Sequence, residues 1–205
     1  MTEQTLEHRS LQLLRAIART PVSSLETAID AGDVARVWFA LESGAIMNSD
    51  MFLRAFGKTE IVRIGLERGV DPAADDNLAL RFASKNGYTE IVRLLIELPL
   101  DRGVDPAIYN NLSIRMASHN GHTEVVRILL DLPAERGVNP TVNNNVVIRD
   151  ACVNGHTEIV RLLLDVLLER GSILQQLTMQ HFGMCVQTDT RKSSVYYLNY
   201  RWKEV

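Results

Sequence analysis

Asn111–Gly137 reads NLSIRMASHNGHTEVVRILLDLPAERG, and close copies of it begin 34 residues earlier, at Asn77, and 34 residues later, at Asn145. Asn77–Gly103 and Asn111–Gly137 are identical at 16 of 27 positions, too many for shared composition, so the chain is internally repetitive. A period of this length belongs to solenoids and arrays. One unit of such an array cannot hide its apolar face alone, whereas stacked neighbours can.

Each copy has the grammar of helix, turn, helix, loop. The Asx pairs Asp76-Asn77, Asn110-Asn111 and Asn144-Asn145 stand at the start of the first helix. There their side-chain oxygens are expected to accept from free N–H groups as N-caps. Gly87, Gly121 and Gly155 end that helix, since glycine takes the left-handed position cheaply. Thr89, Thr123 and Thr157 are expected to cap the second helix. Glu90, Glu124 and Glu158 then lie in its first turn, where negative charge suits the helix dipole. Ile91, Leu94, Leu95 and Leu98 form an apolar stripe at helical spacing. Pro99 and Pro133 should break the second helix, which restarts as a short turn, because proline lacks the N–H and clashes with the preceding turn. Val166-Leu167 replaces that break in the last copy, so its second helix should run longer.

The strings NGHTEVVRILL and NGHTEIVRLLL resemble the ankyrin repeat, whose second helix opens after a Gly-His pair. Upstream, AIDAGDVARVWFALESGA (Ala28–Ala45) resembles a further repeat with Asp33 as N-cap, and GKTEIVRIGLERGVDP (Gly57–Pro72) the second half of another. Five repeats result, at 21–48, 49–76, 77–110, 111–144 and 145–171. The resemblance implies an all-α, ankyrin-type helix-turn-helix repeat solenoid with short hairpin loops. The departures from the family are specific. Its Thr-Pro-Leu-His signature is replaced by LALR, LSIR and VVIR, which puts Arg81, Arg115 and Arg149 where the family has a turn-bracing His. A guanidinium has more donors for that job. The loop before the first helix is about three residues shorter than in the family's repeat, and the second-helix edge about four longer. Repeat 2 lacks the addition and has a short first helix, DMFLRAFGK. His122 and His156 hold the family's structural His position, which implies a bracing role.

Composition bounds the function classes. Net charge is −3, with 46% apolar and 23% charged residues, so the basic footprint of a nucleic-acid binder is missing. No apolar run reaches the roughly 18–20 residues that span a bilayer. MTEQTLEHRSLQLLRAIART carries charges throughout, unlike a signal peptide. Only Cys152 and Cys185 are present, which suits a reducing compartment. The expected setting is intracellular, the cytoplasm of the producing cell or of a host. Residues 1–20 are expected to form a capping helix with Leu6, Leu13, Leu14 and Ile17 facing the array, the alternative being a separate membrane or partner helix. Residues 172–205 carry Tyr196, Tyr197, Tyr200 and Trp202. They could pack on the last repeat, stay disordered, or dock on a partner.

Members of the family bind proteins with the exposed positions of the first helices and the loop tips, which line a concave surface. Carried across by position, these are Phe82, Lys85, Met116, His119, Asp150 and Val153, with Tyr109 near a loop tip. Phe82, Met116 and Asp150 share one repeat position and differ in chemistry. A position without packing duty varies in this way, whether it meets a partner or only water. Arg93, Arg127 and Arg161 follow the glutamates at i+3, which reads as solvated helix pairs rather than a phosphate site. Cys152, His156, His181 and Cys185 are a zinc-compatible set whose helical spacing is broken by Gly155 and Gly183. No phosphate loop, carboxylate dyad or dinucleotide fingerprint occurs. The resulting expectation is a monomeric protein–protein interaction scaffold without catalysis, metal or cofactor. The alternatives are a substrate-recognition adaptor of a regulatory assembly, such as a ubiquitin ligase, recruiting through the C-terminal tail, and an enzyme dependent on Cys152 or Cys185.

Overall fold

The computed structural model describes residues 23–169, and these are helical, with no strand among the described residues. The expected capping helix at 1–20, the aromatic tail at 172–205, and the His181 and Cys185 positions lie outside the described residues. The chain divides into two compact units, Met1–Asp105 and Pro106–Val205.

In the first unit α1 (Ser23–Ala31) and α2 (Val34–Glu42) form a hairpin, followed by α3 (Ser49–Arg54), α4 (Thr59–Glu67), α5 (Ala74–Asn86) and α6 (Thr89–Ile96). α1, α3 and α5 pack side by side, and so do α2, α4 and α6. The six residues of α3 match the truncation expected of repeat 2. In the second unit α7 (Ile108–Asn120) packs on α9 (Val142–Val153), and α8 (Thr123–Leu130) on α10 (Thr157–Glu169). After Pro99 and Pro133 the chain restarts as one 3-10 turn, Leu100–Arg102 and Ala134–Arg136, whereas α10 runs on for 13 residues. The proline rule therefore decides where the second helices end.

The core repeats with the sequence. Leu80 and Ile114, Ala83 and Ala117, and Leu95 and Leu129 are fully buried at matching positions. The expected stripe on α6 needs correction. Ile91, Val92 and Leu95 are buried, while Leu94 and Leu98 are half-exposed. A second helix contacts both its own partner helix and its neighbour in the row, so its buried face is rotated toward position i+1.

The N-cap expectations also need correction. Thr89 and Thr123 are the first helical residues rather than caps, and Tyr88 and His122 precede them without a side-chain cap bond. Asp33 does cap α2, accepting from the Arg36 N–H at 3.0 Å. Asn77 and Asn111 do not cap the helices they open. Asp75, Asp76 and Asn77 all have left-handed backbone, with φ 53, 57 and 59°, as do Tyr109, Asn110 and Asn111, and Asn143 and Asn145. One turn of left-handed backbone thus leads into each of these first helices. Asn and Asp visit that region most readily after glycine.

The Asn at the end of each turn is a clasp. Asn77 Oδ1 accepts from the Asp105 N–H at 2.9 Å, and Asn111 Oδ1 from the Asn139 N–H at 2.8 Å, each 28 residues ahead. Both asparagines are buried, at 5% and 6% exposure. Arg81 closes its own turn, donating to the carbonyls of Asp75 and Asp76 at 3.0 and 3.1 Å. The bracing expected of Arg81 is therefore made to the bend at the start of its own helix α5. Between repeats, Arg102 donates to the carbonyls of Val70 (3.0 Å) and Leu66 (3.5 Å).

The clasp needs only an acceptor and a residue tolerant of positive φ. Asn111→Leu strands the Asn139 N–H and should cost about 1–3 kcal/mol in urea unfolding. Asn111→Asp should lose clearly less. Equal losses for the two variants would show that the amide nitrogen, not the acceptor, matters.

Candidate partner-binding face

Glycine and its successor build the turn between the two helices of a repeat. Gly87 and Gly121 are the left-handed caps of α5 and α7. The side chain one residue after the glycine covers the glycine of the preceding repeat. Lys58 lies 3.5 Å from where a Gly32 Cβ would stand, and the Tyr88 ring 3.8 Å from that of Gly57. A Cβ on Gly121 would come within 2.6 Å of the His156 ring. His156 also donates through Nε2 to the His119 carbonyl at 3.0 Å, the bracing role expected of it.

In the first unit Phe82 and Lys85 are exposed one turn apart on α5. Phe82 is 37% exposed, yet it packs edge to face on Phe56 with ring centroids 5.6 Å apart and tilts against Tyr88 at 6.4 Å. Phe56 in turn meets Phe52 at 5.5 Å. The expectation that this position carries no packing duty therefore fails at Phe82. Edge-to-face pairs of this kind add about 0.5–1.5 kcal/mol beyond buried area.

In the second unit Met116 is half-buried and His119 exposed on α7, while Asp150 is half-buried and Val153 50% exposed on α9. Asn154 joins the two helices. Its amide donates to the Asp150 carbonyl at 2.8 Å and to His119 Nδ1 at 3.2 Å. Tyr109 is 51% exposed at the middle of the pre-helix bend, with φ 51° and ψ 50°. Asp75 and Asn143 hold the same position in the neighbouring repeats. A bulky side chain with left-handed backbone is a genuine outlier.

Trp38 was missed by the sequence reading. It is 49% exposed on α2, with the Arg68 guanidinium 5.8 Å from its ring centroid. Counted from the turn glycine, Trp38 occupies the position of Arg63, Arg93, Arg127 and Arg161. Those arginines pair with Glu60, Glu90, Glu124 and Glu158 at 3.4–3.9 Å, as expected of solvated helix pairs. Aligning repeat 1 on Gly32 would have exposed the substitution. Arg68 also pairs with Glu42, and that hydrogen bond lowers the Glu42 carboxyl pKa below its ordinary value. Whatever stability the pair adds is present at neutral pH and lost on acidification through the carboxylate range. The pair is exposed, so the effect is small.

Cys152 is buried at 5% exposure on α9. A cavity lined in part by Phe52, Leu53, Ala74 and Leu78 has a volume of about 10 Å³, room for about one water. No protein-family model matches the chain, and no curated protein matches it.

The covering of Gly121 by His156 separates two otherwise similar glycines. Both have positive φ, 81° at Gly121 and 74° at Gly155, but no described residue lies within 4 Å of a Cβ on Gly155. Gly155→Ala should cost about 1 kcal/mol from backbone strain alone, and Gly121→Ala about 2 kcal/mol or more. Denaturant unfolding measures both, and equal costs would remove the bracing role from His156.

Proposed function

We propose that the chain is a non-catalytic protein–protein interaction scaffold, an array of ankyrin-type repeats that binds another protein. It binds through the exposed positions of its first helices and the bends that precede them. Tyr109 carries this reading. An aromatic side chain, 51% exposed, stands on backbone that Asp or Asn would adopt with less strain, as they do at positions 75 and 143. Strain of this kind persists where a side chain is needed for something other than stability. Tyrosine supplies large contact area with few rotatable bonds, and it is enriched at binding hot spots. Met116, His119, Asp150 and Val153 sit on the two helices that Asn154 ties together, so the second unit offers them in a preset arrangement. Such preorganisation lowers the cost of association. Lys85 and Phe82 are the corresponding positions of the first unit, with Phe82 partly committed to its own aromatic cluster.

Among the described residues no helix is long and apolar enough to cross a membrane. A cytoplasmic setting and a monomeric state belong to the same proposal. Thiol alkylation under denaturing lysis decides the first. Cys152 labelled without prior reduction supports the cytoplasm, and Cys152 labelled only after reduction removes that assignment.

The binding proposal predicts opposite signs for one substitution. Tyr109→Asn should raise the unfolding free energy by about 1 kcal/mol. It should also weaken capture of the native-lysate partner, as should Met116→Ala/His119→Ala. A partner held undiminished by a more stable Tyr109→Asn protein would move the site away from this bend.

A further inference from the structure

The repeat places an Asn-Gly dipeptide at the end of three first helices: Asn86-Gly87, Asn120-Gly121 and Asn154-Gly155. Asn followed by Gly is the pairing in which the next backbone nitrogen has least steric hindrance to reaching the side-chain carbonyl carbon, because glycine has no Cβ. We propose that Asn154 is a site of spontaneous deamidation, favoured over its two repeat equivalents by the local structure. The inference does not depend on the binding proposal.

All three asparagines are exposed, and each donates its amide to the carbonyl four residues back at 2.8 Å. Each following glycine N–H is also bonded, Gly87 to the Ala83 carbonyl, Gly121 to that of Ser118, and Gly155 to that of Cys152. Those features do not separate the three. Two others do. Asn86 and Asn120 are the last helical residues of α5 and α7, whereas Asn154 stands outside α9 as its cap, with φ −90° and ψ 1°. Ring closure requires the backbone to rotate away from helical geometry, and Asn154 has already left it. The space beside the glycine differs as well. At Gly121 the His156 ring closes the approach, while no described residue lies within 4 Å of where a Gly155 Cβ would stand.

The reaction balances with water as its only co-reactant. The Gly155 nitrogen bonds to Asn154 Cγ, the Cγ–Nδ2 bond breaks, and Nδ2 leaves as ammonia with the Gly155 amide proton. Water then opens the five-membered imide at either carbonyl, leaving aspartate or isoaspartate. The product cannot keep the bond to the Asp150 carbonyl, since a carboxylate oxygen is itself an acceptor, and a negative charge at a helix C-terminus is disfavoured.

The test is peptide mass spectrometry of the full-length protein aged at mildly alkaline pH, folded and in urea. In the folded protein Asn154 should convert at least about threefold faster than Asn86 and Asn120. In urea the three should converge, since all are Asn-Gly. Equal folded rates, or Asn154 the slowest, would overturn the proposal. A preference for Asn154 that persists in urea would overturn it too, by assigning the effect to local sequence.

Discussion

Everything periodic in these units hangs on a buried amide oxygen. Asn77 and Asn111 reach from the mouth of one repeat to a backbone N–H of the next loop, 28 residues on. The reach is possible because three consecutive residues turn left-handed before the helix begins, which aims the side chain away from its own helix. Left-handed backbone at three successive residues is costly, and it is held by acceptor-rich side chains and, in the first unit, by Arg81 bonding the carbonyls of Asp75 and Asp76. Arg102 adds a second tie between repeats, to Val70 and Leu66.

Much of the fold was legible in the sequence, because its signals act locally. Gly87 and Gly121 ended helices, Pro99 and Pro133 broke them, and the 34-residue period set helix against helix. The asparagine clasp was not legible. Asx at a helix start signals a cap, and the same side chain in left-handed backbone does something else entirely. Only the position of the partner N–H in space distinguishes the two. The stripe on α6 erred for a related reason: a periodicity finds an apolar face but not which of two neighbours it turns toward.

The candidate face was half legible. Exposure came out as expected at Phe82, Lys85, His119 and Val153. The packing duty of Phe82 did not show, because its neighbour Phe56 lies in a different repeat, and one repeat read by itself cannot reveal an aromatic cluster assembled from two. Trp38 escaped because its oddity is visible only against the arginines at its register. Positions that break a repeat's rule are where a repetitive chain becomes individual, and Tyr109 and Trp38 are two such positions.

The spacing of the clasps also bears on how the chain acquires its structure. The side-chain ties between repeats in either unit span 24 to 37 residues, from Arg54 with Asp30 to His156 with His119. The entropy of closing loops grows only slowly with length, so none of these ties is much harder to form than another. Folding governed by such short-range contacts is fast and can start at any adjacent pair of repeats, then spread one neighbour at a time. A lesion in one clasp therefore uncouples its two neighbours without first disturbing repeats further along. Local opening at a repeat boundary, rather than all-or-none collapse, is the motion this architecture makes cheapest.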